Sequence, residues 1–80
     1  RNDREVDFVL RKNKTITELV QVVYELNNPE TEQREIKALI EANQELKVKN
    51  LTIITWNEKK VVEKDGLMIN IVPVWERFLE

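Results

Sequence analysis

The sequence predicts an α/β domain built on a mixed sheet, and three observations carry that prediction. Residues 5–26 alternate apolar and polar side chains on both sides of the polar turn Lys12-Asn13-Lys14, as the two strands of a hairpin do. Residues 29–46 carry apolar side chains at helical spacing on a body of Glu, Gln and Lys. The run Leu51–Trp56 is short, β-branched and apolar without alternation, the pattern of a strand covered on both faces. Strand, helix and strand in that order make a β-α-β crossover, which is expected to be right-handed, so the strand over 15–26 and the strand over 51–56 should lie parallel.

In the hairpin, Val6, Phe8 and Leu10 share a face with Val20, Val22 and Tyr24, while Leu19, Gln21 and Val23 lie opposite. Residues directly across an antiparallel pair share a face, so matching the apolar sets fixes the register. Val6 then pairs with Val22, Phe8 with Val20, Asp7 with Gln21, and Glu5 with Val23. The helix begins at Asn28, a good N-cap, with Pro29 at its first position and Glu30 and Glu32 in the first turn, where negative charge suits the helix dipole. Ile36, Leu39, Ile40, Ala42 and Leu46 mark its buried stripe, and Lys47 and Lys49 follow near its end. A C-terminal hairpin is predicted from Lys60–Glu63 and Leu67–Val72 around Lys64-Asp65-Gly66, because Asp-Gly suits a tight turn whose central residues have positive φ. Pro73 ends that strand and opens a short terminal helix with Val74, Trp75, Phe78 and Leu79 on its apolar side.

Composition sets limits. Eighty residues allow one small domain spanning 1–80. With 41% hydrophobic and 35% charged residues the chain reads as globular and water-compatible, and a net charge of −2 argues against a general nucleic-acid binder. There is no cysteine, which rules out disulfides and thiolate chemistry and suits a cytoplasmic setting, and no histidine, which removes the commonest general base. No apolar run is long enough to span a bilayer, so no membrane partner is expected. A start at Arg1-Asn2-Asp3-Arg4 that runs straight into a strand reads as a piece of a longer protein.

Glu-Val-Asp-Phe-Val-Leu at 5–10 followed by Leu-Val-Gln-Val-Val-Tyr-Glu-Leu at 19–26 resembles the restriction-endonuclease-like, or PD-(D/E)XK, core. More narrowly, the chain resembles the uncharacterised module at the C-terminus of many prokaryotic AAA+ family ATPases. Thr-Glu-Gln-Arg-Glu-Ile-Lys-Ala-Leu at 31–39, Leu-Thr-Ile-Ile-Thr-Trp at 51–56 and Ile-Val-Pro-Val-Trp at 71–75 carry the same likeness. The resemblance implies a partial nuclease-like core, an upstream ATPase domain of the same chain as partner, and ATP bound in that domain, with no cofactor in this one. In such nucleases an aspartate and a second acid on adjacent strands hold Mg²⁺, and a lysine two residues further on assists. Asp7 matches the first acid and is a weak candidate metal ligand. Gln21 stands at the second acid and Val23 at the lysine, so no catalytic residue is expected. An amide brings no charge to the metal, and valine cannot act electrostatically.

Three functions follow. The first is a non-catalytic, nuclease-like interaction module serving an AAA+ type ATP-binding protein. The second is a metal-dependent nuclease domain acting on DNA with Mg²⁺. The third is a structural or oligomerising domain that associates with itself. Plainer readings stand beside the motif. Asp7 and Gln21 also read as a hydrogen-bonded pair near a sheet end. Arg11, Lys12 and Lys14 read as a solvated hairpin tip, with phosphate contact as the alternative. Trp56 and Trp75 read as core or rim packing, with base stacking as the alternative.

Overall fold

Two turns of two residues each shape the sheet in the computed structural model, which describes residues 8–26 and 28–78. Asn13 and Lys14, at φ 53° and 75°, join strand β1 (Phe8–Lys12) to β2 (Thr15–Val22). Asp65 and Gly66, at φ 53° and 78°, join β4 (Lys60–Lys64) to β5 (Leu67–Pro73). Positive φ at both central residues matches the right-handed twist of the flanking strands, which is why such turns close hairpins. Between the hairpins lie helix α1 (Pro29–Leu46) and strand β3 (Asn50–Thr55), and helix α2 (Val74–Phe78) follows β5.

The five strands form one sheet in the order β1-β2-β3-β5-β4. β2, β3 and β5 are mutually parallel, and the outer strands β1 and β4 run antiparallel to their neighbours. The predicted register holds where it is described: Phe8 pairs with Val20, and a bulge after Leu10 brings Lys12 opposite Thr15. The predicted pairings of Val6, Asp7 and Glu5 lie outside the described residues. The crossover places β3 parallel to β2, as expected, with Leu19 opposite Leu51 and Gln21 opposite Ile53. The C-terminal hairpin adds to the same sheet through a second parallel pairing, Leu51 with Ile69 and Ile53 with Ile71.

Those in-register rows form the core. Leu19, Leu51, Ile53, Ile69 and Ile71 pack with Ile36, Leu39 and Ile40 of α1, and with Leu26 and Val48. The side of β2 that carries Leu19, Gln21 and Val23 is therefore the helix side, and the face of Leu10, Val20 and Val22 is turned the other way. Both faces of this hairpin are apolar, and α1 packs on the one whose residues continue into the Leu51 and Ile53 rows. α1 has the predicted bounds. Its Asn28 cap accepts a hydrogen bond from the Glu30 N–H at 2.8 Å. Its C-terminal end is set by Lys47 at φ 54° and by Asn43, whose buried amide accepts from the Val48 N–H (2.7 Å) and donates to the Val48 carbonyl (3.0 Å).

β2 is shorter than the predicted 15–26, although its ladder runs on through single bonds, Val23 N–H to the Ile54 carbonyl (2.8 Å) and Trp56 N–H to the Tyr24 carbonyl (3.1 Å). α2 packs against β5 and β3 and its Arg77 reaches Glu18, so it covers the face opposite α1. Trp75 does not pack on its sheet side as expected. Val74 and Arg77, three residues apart, share the inward side, and Trp75 is turned to solvent, 55% exposed. Leu79 lies outside the described residues.

Candidate functional site

Gln21 is the polar residue that the sheet buries most completely. β2 is central, its neighbours Leu19 and Val23 pack on the α1 side, and the amide is drawn under the helix with no exposed surface. A buried amide needs partners. Gln21 Nε2 donates to Glu35 Oε1 at 2.6 Å, and the Arg34 guanidinium lies 3.7 Å from the other Glu35 oxygen. Glu35 is itself buried on α1. Of the three motif positions, Gln21 is thus committed to a helix carboxylate, Val23 is partly buried against the core, and Asp7 lies outside the described residues. The described residues do not by themselves make a Mg²⁺ centre: the Gln21 amide nitrogen is turned to Glu35, Val23 offers no ligand, and among the described residues no group of three acidic, histidine or cysteine side chains is placed to hold a metal.

Glu35 went unnoticed in the sequence, although a signal was there. It stands four residues before Leu39 and eight before Asn43, on the buried stripe of α1, where a carboxylate requires a partner from the sheet.

A second polar cluster lies on the opposite face. The Arg77 guanidinium donates to both Glu18 oxygens, at 2.6 Å and 2.8 Å, and the Thr52 hydroxyl donates to Glu18 Oε2 at 2.5 Å. These groups line a cleft of about 360 Å³ with Asn50, Asn70, Val72 and Glu76. The hydrogen bond from Arg77 holds the Glu18 carboxyl below the usual carboxylate range. Burial pulls the other way, and the Thr52 bond and the Arg77 charge add to the lowering. The pair fastens α2 to β2.

The third feature is aromatic. Tyr24 and Trp56, just beyond the ends of β2 and β3, stack with ring centroids 5.5 Å apart and planes 26° from parallel. Trp56 was expected to pack in the core or at its rim, yet it is 56% exposed and Tyr24 65%, because both lie past the strand ends. Arg11, Lys12 and Lys14 are exposed at the hairpin tip, as expected. No described helix is long and apolar enough to cross a membrane.

No known family model matches the chain, and no solved structure matches it. It is 46% identical over 83 aligned residues to the "Uncharacterized protein MJ1544" of Methanocaldococcus jannaschii, an alignment that takes in 95% of this chain and 18% of that protein. The chain therefore spans less than a fifth of the length of that relative.

Proposed function

We propose that the chain is a non-catalytic, nuclease-like interaction module at the C-terminus of an AAA+ type ATP-binding protein in the cytoplasm, with the upstream ATPase domain as its partner. The observation that carries this reading is the state of Gln21. A residue at the second acid of a nuclease motif must face substrate and metal, whereas this amide is wholly buried and bonded to Glu35. Surface for a partner is available instead on the face turned away from α1, where Leu10, Val22, Val61 and Met68 are exposed.

Two measurements test the proposal. Incubation of the chain with plasmid DNA and Mg²⁺ or Mn²⁺ should give no cleavage, and cleavage that disappears on Asp7→Ala would restore the nuclease reading. Hydrogen exchange at Val22, Val61 and Met68 should be slower in the parent protein than in the isolated chain. Equal exchange in the two would remove the interaction reading. The same exposed apolar residues favour self-association as a second reading. Sedimentation over a range of concentrations should then show a dimer or larger species, and a monomer throughout would exclude it.

A further inference from the structure

The Tyr24–Trp56 stack is a built feature. The single backbone bonds Val23 N–H to Ile54 carbonyl and Trp56 N–H to Tyr24 carbonyl carry the parallel pairing past the ends of both strands, and so set the two rings side by side. The next loop is pinned as well. The Glu58 N–H donates to Thr55 Oγ1 at 2.9 Å, and that hydroxyl donates back to the Glu58 carbonyl at 3.1 Å. The Glu58 carboxylate then accepts the Leu26 N–H at 2.9 Å, which fixes it beside the aromatic pair. Tyr24, Glu25, Trp56, Asn57 and Glu58 together line a cleft of about 380 Å³. It lies at the carboxyl ends of parallel strands, where open α/β sheets commonly place their ligands.

Charge decides what such a cleft takes. Among the described residues its ionisable side chains are Tyr24, Glu25 and Glu58, and no described lysine or arginine lines it. The neighbouring cation, Lys59, is drawn to Glu76 at 2.6 Å. A base stacked on the rings would bring its phosphate against the Glu58 carboxylate. A guanidinium brings the complementary charge, a flat face for the exposed aromatic ring and a fork of N–H donors for a carboxylate that a single backbone bond does not saturate. We propose that the Tyr24–Trp56–Glu58 corner is a docking site for an arginine side chain of a partner polypeptide. The inference rests on reading the chain as an interaction module and names the chemistry of one of its contacts.

Amide and indole NMR on the full chain tests it, with a blocked peptide of alternating glycine and arginine as the probe. The Trp56 indole and Glu58 amide signals should shift saturably, while the Trp75 indole stays in place. Trp56→Leu and Glu58→Gln should each weaken binding, by about threefold to thirtyfold, and Trp56→Phe should retain part of it. Glu58→Gln keeps an oxygen for the Leu26 N–H, so that variant leaves the fold in place. An equal response to the peptide with citrulline in place of arginine would overturn the proposal, because citrulline keeps the shape and lacks the charge. So would tighter binding of oligothymidylate at Trp56, or no shift at millimolar arginine peptide. None of these outcomes bears on plasmid cleavage or exchange protection, so failure here is distinguishable from failure of the interaction reading itself.

Discussion

Gln21 and Glu35 depend on each other. The amide donates to a carboxylate that is buried on α1, and the carboxylate satisfies an amide with no access to water. Gln21→Glu would therefore place two carboxylates in contact under the helix, and one would have to take up a proton to remain there. We expect this variant to lose about 2 to 4 kcal/mol of stability at pH 7. In that variant the folded protein would hold one more proton between the two carboxyls than the unfolded chain does, so the loss should shrink as the pH falls toward 4. Gln21→Met should lose stability without that recovery. Urea unfolding of the three proteins at both pH values is the measurement, and a Gln21→Glu protein as stable as the original at pH 7 would contradict the pair. The chemical interest of Gln21 was legible from the sequence, since a lone amide in an apolar strand stands out. Its partner on the helix was not, because only the packing of α1 brings Glu35 within reach.

At the scale of the element, α2 shows how a helix of five residues is held. So short a segment does not form by itself in water, and its tethers are Arg77 to Glu18 and Glu76 to Lys59. The Glu18 carboxyl is lowered chiefly by its hydrogen bond to Arg77. A lowered folded pKa contributes stability that is present above the unfolded value of about 4.3 and is lost as pH falls through the folded one. Arg77→Ala should cost roughly 1 to 3 kcal/mol at neutral pH, and it should flatten the loss between about pH 5 and pH 3 relative to the original chain. Parallel acid titrations read by circular dichroism would show two curves of the same slope if the pair contributes nothing. The bounds of α1 and the Asp65-Gly66 turn were legible in the sequence because caps and turns are local chemistry. The tether of α2 was not, since Glu18 and Arg77 lie near opposite ends of the chain and meet only once β3 and β5 lie side by side. The tryptophans illustrate the same limit. Hydrophobicity marks a residue for burial, but Trp56 sits past the end of its strand and Trp75 on the outer side of its helix, so neither is covered within the described residues.

For the whole molecule, the strand order β1-β2-β3-β5-β4 separates two kinds of pairing. The outer pairs are hairpins, each closed by a two-residue turn, and such units form in about 1 to 10 μs. The inner pairs are parallel and join strands that are remote in the chain, so the entropy of loop closure must be met before any contact between them compensates for it. The order of assembly follows from that difference. The two hairpins can form and dissolve freely, and the slow event is the docking of β3 between them, with α1 laid over the join. Asp65→Ala, at a turn already made when β3 docks, should act mainly by slowing refolding. Leu39→Ala and Ile53→Val, at the join that docking completes, should both slow refolding and speed unfolding. Stopped-flow refolding and unfolding in urea separates the two classes, and an Asp65→Ala chain that unfolds faster but refolds at the original rate would contradict this order. Partly folded chains would then be two ready-made ribbons waiting for the strand that unites them, each with one backbone edge still open to the wrong neighbour.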